Sequence, residues 1–353
     1  MRYFLMNKDT VTMSLDDCKV FNKQWLPNAL NTSHIFTNKV NYWLNHRALS
    51  LNRKNAEKLY QAVGLPRDKS GLDLFKLTHG LSINDNFWVA SEAEIGKIKY
   101  QDINLYTNSL NNAMYLVALK GENYSLTGNN LSAEFTGQGM FPKCFVREQD
   151  GIYIYKSGED SDIIKEVYAA FIAKLLGLKT VDYQYAVKFD RNCTRSKIMT
   201  NLDFSWESAL SLIDFGIEQF KSIQNFAFEQ FRQALSDMAI FDGIVLNMDR
   251  HMKNWSFLID NSTNKIIGIA PSYDYNKCFE ADQSKQSLLL PWLHSNILNT
   301  ARYCYSNLGT TLRIDYLYNT LNSIDIKINK DSMFRRIEYI TGLRNSAKGC
   351  YEV

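Results

Sequence analysis

Apolar residues recur three and four positions apart through NKVNYWLNHRAL (38–49) and LNRKNAEKLYQAVGL (51–65), and the second run closes on Gly64-Leu65-Pro66. That spacing predicts two helices and makes residues 1–110 a mostly helical accessory segment. HGLSINDNFWV (79–89) mixes capping and aromatic residues and reads as a buried joint. From about residue 113 the period changes. AMYLVAL, KCFVRE and GIYIYK then read as strands, the last two joined at Gln149-Asp150-Gly151. SDIIKEVYAAFIAKLLGL returns to helical spacing, with Ser161 or Asp162 as cap and Ile163, Val167, Phe171 and Leu175 as its apolar stripe before Gly177. VDYQYAVKF (181–189) alternates again, and SKIMT adds a short strand.

The remainder is predominantly helical. In NFAFEQFRQALSDMAIFDGIVLN, Phe228, Phe231, Leu235, Met238 and Val245 share one face of a core helix. An irregular loop follows, then a hairpin (WSFLID, NSTN, KIIGIA), a second loop, and helices around 312–322 and 331–345. Strands first and helices second predict an α+β chain of two lobes, a small β-rich one and a mainly helical one. The expected boundaries are 1–110 for the accessory segment, 111–190 for the first lobe and 191–353 for the second.

Composition narrows the function classes. A chain of 353 residues with 45% hydrophobic content can bury a large core, and its net charge of +3 gives no bulk argument for contact with nucleic acid. The six cysteines are scattered without a C-x-x-C pair, which fits a reducing cytoplasmic setting, and no apolar run suits a membrane span. Trp206, Trp255 and Trp292 are expected to pack in the core.

The chemistry concentrates in two loops. In LNMDRHMKNWSFL, Asp249 and Asn254 stand five positions apart, the separation of the base Asp and the metal-binding Asn in protein-kinase catalytic loops. Asp274, in APSYDYN, follows a hairpin that brings the chain back toward the first loop. Amide and carboxylate oxygens converging at two loop mouths suit a hard cation such as magnesium.

N-M-D-R-H-x-x-N followed by A-P-x-Y-D resembles the HipA-like kinases of bacterial toxin–antitoxin loci, over roughly residues 130–350. The resemblance implies a protein-kinase-like fold, ATP and Mg2+ as cofactors, Asp249 as catalytic base, and Asn254 and Asp274 as metal ligands. Arg250 and His251 would buttress the loop. TGQGMFPK (136–143) is similar to the family's phosphate-covering loop, with Gly137 and Gly139 approaching phosphate oxygens. Lys156 takes the place of the phosphate-binding lysine, with Glu166 as its partner and Lys143 as the fallback. VKFDR (187–191) falls where the hinge would run, and Phe189 would meet the adenine edge. Ser132 and Thr136 are the hydroxyls placed for autophosphorylation.

The activity so implied is a serine/threonine protein kinase with a protein substrate and an antitoxin partner, touching neither nucleic acid nor membrane directly. A small-molecule or lipid kinase shares the loop spacing, and a catalytically weak nucleotide-binding partner protein would share the fold.

Overall fold

The structure is a computed structural model. It describes residues 1–343 except 33–34, 36, 127–131, 138, 214–216, 280–286, 288, 291–292 and 294, with side chains left undescribed over 212–228. In chain order the elements begin with β1 (Tyr3–Asn7), β2 (Thr10–Ser14), α1 (Thr37–Arg47), α2 (Ala56–Ala62), α3 (Gly71–Thr78), β3 (Phe87–Ser91), α4 (Tyr100–Ile103) and α5 (Asn112–Lys120). The middle of the chain forms β4 (Lys143–Glu148), β5 (Gly151–Ser157), α6 (Asp160–Leu176), β6 (Gln184–Lys188), β7 (Arg191–Lys197), β8 (Phe204–Ser208) and α7 (Ala209–Ile213). Then come α8 (Ile217–Val245), β9 (Ser256–Asp260), β10 (Lys265–Ile269), α9 (Ile297–Leu308), α10 (Ile314–Thr320) and α11 (Lys330–Thr341).

Contacts divide the chain into two compact units, the first holding residues 1–160, 184–220 and 257–268, the second 161–183, 221–256 and 269–353. The first unit carries three sheets, ordered β2-β1-β3, β10-β9-β8 and β4-β5-β7-β6, the first and last of them antiparallel throughout. Helices outweigh strands in residues 1–110 without making up most of them, and the β2-β1-β3 sheet there is not anticipated by the helical periodicity. Every residue of β3 is buried, and Trp88 donates its indole N–H to the Lys8 carbonyl at 2.7 Å. In the four-stranded sheet β5 is central, so Lys156 lies directly opposite Lys143 on β4 and Thr194 on β7.

AMYLVAL is helical. Asn111 caps α5 by accepting the Ala113 N–H, and Gly121, left-handed at φ 81°, returns its own N–H to the Leu116 and Val117 carbonyls. A short all-apolar run carries no period of its own, and these caps decide the outcome.

In the second unit, α6 forms where expected, but its buried stripe is Ile163, Glu166, Ala169, Ala170, Ala173 and Leu176, and Phe171 is exposed. Alanines let the helix pack closely, and that phase turns Glu166 inward. α8 breaks its helical geometry at Phe231 (φ −130°, ψ 30°), and Phe228 lies among the residues whose side chains are undescribed. Beyond the break Leu235, Met238, Phe241, Ile244 and Val245 are all buried. Each such side chain contributes about 1.5–3 kcal/mol of burial. Arg336 on α11 donates to the Ile244 carbonyl at 2.7 Å and so satisfies the end of α8, where the catalytic-type loop begins. Among the described residues no helix is long and apolar enough to cross a membrane.

Candidate active site

The loop after α8 is built on a buried ion pair. Leu246 ends the helix in the left-handed region at φ 53°, and Asp242, on the last turn, receives the Asn247 amide at 3.0 Å. Arg250 meets Asp242 with its Nε at 3.1 Å from Oδ2 and its Nη2 at 3.1 Å from Oδ1, a bidentate fork with both side chains almost wholly buried. Its remaining nitrogen, Nη1, donates to the Asn254 carbonyl at 2.7 Å and to the Tyr273 carbonyl at 2.6 Å. One guanidinium therefore joins the helix end, the far side of the first loop and the second loop. Burial alone would push this group down, but the Asp242 carboxylate overrides it and holds Arg250 above its ordinary value.

Within that frame Asn254 donates Nδ2 to the Asp249 carbonyl at 2.7 Å and to Asp249 Oδ2 at 3.2 Å. Its nitrogen is thereby committed, and the amide oxygen is the atom offered to a cation. Asp249 itself is 40% exposed, with Oδ1 3.7 Å from His251 Nε2. His251 accepts the Lys253 N–H at Nδ1 (3.1 Å), so it holds the loop and presents Nε2 toward Asp249.

The Asp274 loop is supported from beneath. Asp274 has φ 60°, an uncommon conformation for a residue with a Cβ, and its N–H reaches the Tyr183 hydroxyl at 3.3 Å. Burial first, and then the charges of Glu166 and Asp274, push the Tyr183 phenol well above its ordinary value, so it stays neutral. Glu166, 1% exposed, accepts the Tyr275 N–H at 3.4 Å, and the Tyr275 hydroxyl lies 2.6 Å from Thr180 Oγ1. Tyr273 completes the support through Ser256 Oγ (2.7 Å) and the Lys253 carbonyl (3.0 Å). Asp249, Asn254, Asp274 and Glu166 thus all belong to the second unit. Trp255 packs in the core beside them, 2% exposed, and Trp292 lies outside the described residues.

Lys156, Gly137, Gly139 and Phe189 belong to the first unit. Lys156 is half-buried, with its ammonium 5.3 Å from the Phe141 ring centre. Residues opposite one another on antiparallel strands share a face, so the Lys143 and Lys156 ammonium groups do too. Gly139 has φ 94°, and a Cβ there would stand 3.0 Å from Lys143 Nζ; at Gly137 a Cβ would stand 2.7 Å from Arg53 Nη1. Left-handed backbone favours glycine at 139, while at 137, where φ is −81°, a side chain would have to displace the buried Arg53 guanidinium. Phe189 and Asp190, at φ 48° and 57°, form the tight turn between β6 and β7, and the nearest crossing between units comes earlier, at 183–184.

The helical pattern of residues 51–65 gave no hint of Arg53's position. Arg53, 2% exposed, donates to the Glu134 carbonyl at 3.3 Å and to the Lys143 carbonyl, which bracket the glycine loop. The adjoining N–H groups of Leu49 and Lys54 donate to the Phe135 and Met140 carbonyls at 2.8 and 3.0 Å. Burial pushes Arg53 down to about 10. Beneath the loop Glu134 accepts the Phe145 N–H at 3.0 Å and the Ser132 hydroxyl at 2.5 Å. Ser132 and Thr136 are each 3% exposed.

An aspartate and an asparagine sharing one loop, tied by an arginine to a second aspartate loop in a mixed α+β chain, define a protein of kinase-like fold. The chain is similar to HipA of Shewanella oneidensis MR-1, solved as a toxin–antitoxin system with HipB and its operator DNA. That likeness has a TM-score of 0.52 at 11% identity and covers 90% of this chain and 87% of that one. Residues 137–303 match the family model of HipA-like kinases, which bears out the resemblance carried by the two loops. A likeness to the Helicobacter pylori proinflammatory kinase CtkA has a TM-score of 0.42 at 16% identity, covering 57% of this chain and 90% of that one. No curated protein sequence matches the chain.

Proposed function

We propose that the chain is an ATP- and magnesium-dependent serine/threonine protein kinase of the HipA-like type. The observation that supports this most is the Asn254 amide bound to Asp249 within a loop that Arg250 ties to the residue before Asp274. The donor set there is all oxygen, as a hard divalent cation requires. Among the described residues no group of three or more His, Cys, Asp or Glu side chains is assembled for a metal, so waters and phosphate oxygens would complete the shell. Asn254 Oδ1 and the Asp274 carboxylate would hold magnesium, which when bound neutralises charge on the transferred phosphoryl group.

Asp249 then orients the incoming hydroxyl and accepts its proton as the oxygen attacks the γ-phosphorus, the bond to the bridging oxygen breaks and ADP departs. Lys156, with Lys143 on the same face, holds nucleotide phosphates, and the Gly137 and Gly139 backbone approaches them. Phe189 is retained at the adenine edge. Glu166, read from sequence as the partner of Lys156, also steadies the Asp274 loop through the Tyr275 N–H. A cytoplasmic location and a protein antitoxin partner belong to the same reading, the latter because the similar HipA was solved with HipB. Self-phosphorylation at Ser132 or Thr136 requires that segment to leave its buried position. Phosphate on residues 127–143 after incubation with ATP and magnesium, read by mass spectrometry, supports it, and none removes it.

The test is nucleotide binding by calorimetry alongside turnover of labelled ATP with protein acceptors, in the native chain, Asp249→Ala and Asp274→Ala. Loss of turnover in both variants, with metal-dependent binding weakened chiefly by the Asp274 change, is expected. Unaltered turnover in both would overturn the site.

A further inference from the structure

The Asp274 loop is docked on a short rail of chain, residues 179–183, which links α6 to β6 and belongs with Asp274 to the second unit. The Lys179 carbonyl accepts the Ser272 N–H at 2.9 Å, and the Val181 N–H donates to the Ser272 carbonyl at 2.9 Å, so Thr180 and Ser272 form a parallel bridge. Thr180 Oγ1 donates to the same carbonyl at 3.1 Å and lies 2.6 Å from the Tyr275 hydroxyl. The bridge fixes the entry to the loop at residue 272 and stops two residues short of Asp274.

Tyr183 spans that gap. At φ 60° Asp274 has left the bridge geometry, and its N–H needs an acceptor of its own, which the Tyr183 hydroxyl supplies at 3.3 Å. The Tyr183 ring stands edge-on to Tyr275 at 6.0 Å between centres, and Tyr275 stands edge-on to Phe241 of α8 at 5.4 Å. Ring packing therefore places the phenolic oxygen, and the oxygen in turn holds the backbone. Three successive residues are held in this way: the Tyr273 carbonyl by Arg250, the Asp274 N–H by Tyr183 and the Tyr275 N–H by Glu166. Of these it is the Tyr183 bond that acts on Asp274 itself, whose Cβ and carboxylate turn with its φ.

We propose that Tyr183 is a positioning residue for the metal centre: by accepting the Asp274 N–H, its hydroxyl fixes the left-handed turn that aims the Asp274 carboxylate at the cation. Tyr183 touches neither cation nor nucleotide and acts through Asp274. This rests on the kinase reading of Asp274 as a magnesium ligand.

The experiment measures binding of the non-hydrolysable ATP analogue adenylyl imidodiphosphate to the full chain by calorimetry, without magnesium and across a magnesium series. Tyr183→Phe keeps the ring and removes one oxygen. It is expected to raise the magnesium concentration that half-maximally strengthens binding by at least about fivefold, the scale of one lost hydrogen bond, with magnesium-free affinity within about twofold of native. Tyr185→Phe, which loses an exposed hydroxyl bonded to Asn192 at 2.8 Å, is expected to leave the magnesium requirement unchanged. Partial unfolding of a variant lowers the number of binding sites and not the magnesium midpoint, so the two effects separate. A native midpoint in Tyr183→Phe, with the magnesium effect lost in Asp274→Ala, would overturn the positioning role and leave the site standing. Equal weakening of Tyr183→Phe with and without magnesium would reduce the contact to a structural one and overturn the role as well. A magnesium effect that survives in Asp274→Ala would remove the metal site and this role together.

Discussion

Arg250 and Arg53 each brace a loop from beneath, the first in the second unit and the second in the first. Arg250 has a carboxylate fork to itself and is held above its ordinary value, whereas among the described residues Arg53 bonds only carbonyl oxygens and has no partner for its buried Nε, and it is pushed down to about 10 by burial. Two more buried groups of the first unit behave like Arg53. Burial lowers Arg47 despite Asp85, and it raises the Glu207 carboxyl to about 7. Burial raises the Asp242 carboxyl too, so the fork keeps Arg250 above its ordinary value without fully offsetting its partner's burial, whereas Arg53 and Arg47 are themselves pushed down. A bidentate fork fixes geometry as well as contributing energy.

The largest effect that would break this comparison is at Arg250. Arg250→Met leaves Asp242 buried and unpaired and is expected to cost about 3–5 kcal/mol, seen as a fall in the urea midpoint. A loss below that of Arg53→Met would invert the ranking of the two braces.

Glu207 sharpens the contrast through pH. Its carboxyl titrates at about 7 in the fold against 4.5 in an unfolded chain, so the folded state holds the extra proton between those values. Its contribution is complete below pH 4.5, declines as pH rises toward 7, and stays lost above that. Glu207→Gln keeps the oxygen that accepts the Ala29 N–H at 3.1 Å. It is expected to stabilise the chain at pH 8 by roughly 1–3 kcal/mol and to do little at pH 4, in paired urea titrations.

Arg53→Met is expected to cost about 1–3 kcal/mol and, on the kinase reading, to raise the KM for ATP more than it lowers kcat. An unchanged KM would separate this brace from nucleotide binding. Gly139→Ala is the smallest step, at about 1–2 kcal/mol for a Cβ on left-handed backbone, with nucleotide affinity as its readout.

The two hairpins, KCFVRE/GIYIYK and WSFLID/KIIGIA, were legible because alternation and turn residues agree there. So were the Asp249–Asn254 spacing and the position of Asp274, since local order along one loop is a sequence property. The helix at AMYLVAL was not, because its caps rather than its period determine it. The phase of α6 escaped as well: large apolar residues suggested Val167 and Phe171, and the alanine face that buries Glu166 depends on what packs against it. Arg53 and Arg250 mark the same boundary. Arg250 sits inside a recognisable motif, whereas Arg53 reaches its loop across 81 and 90 residues of sequence.

The four backbone and side-chain links from residues 49–54 to the glycine loop also bear on how the protein can be divided. The stretch that homology delineates starts at residue 137, downstream of every one of those supports. A fragment excised at that boundary would carry the Asp249 and Asp274 loops complete and their arginine intact, yet its glycine loop would have lost its scaffolding. The segment inherited as a recognisable module and the segment that folds as one are therefore different lengths of chain.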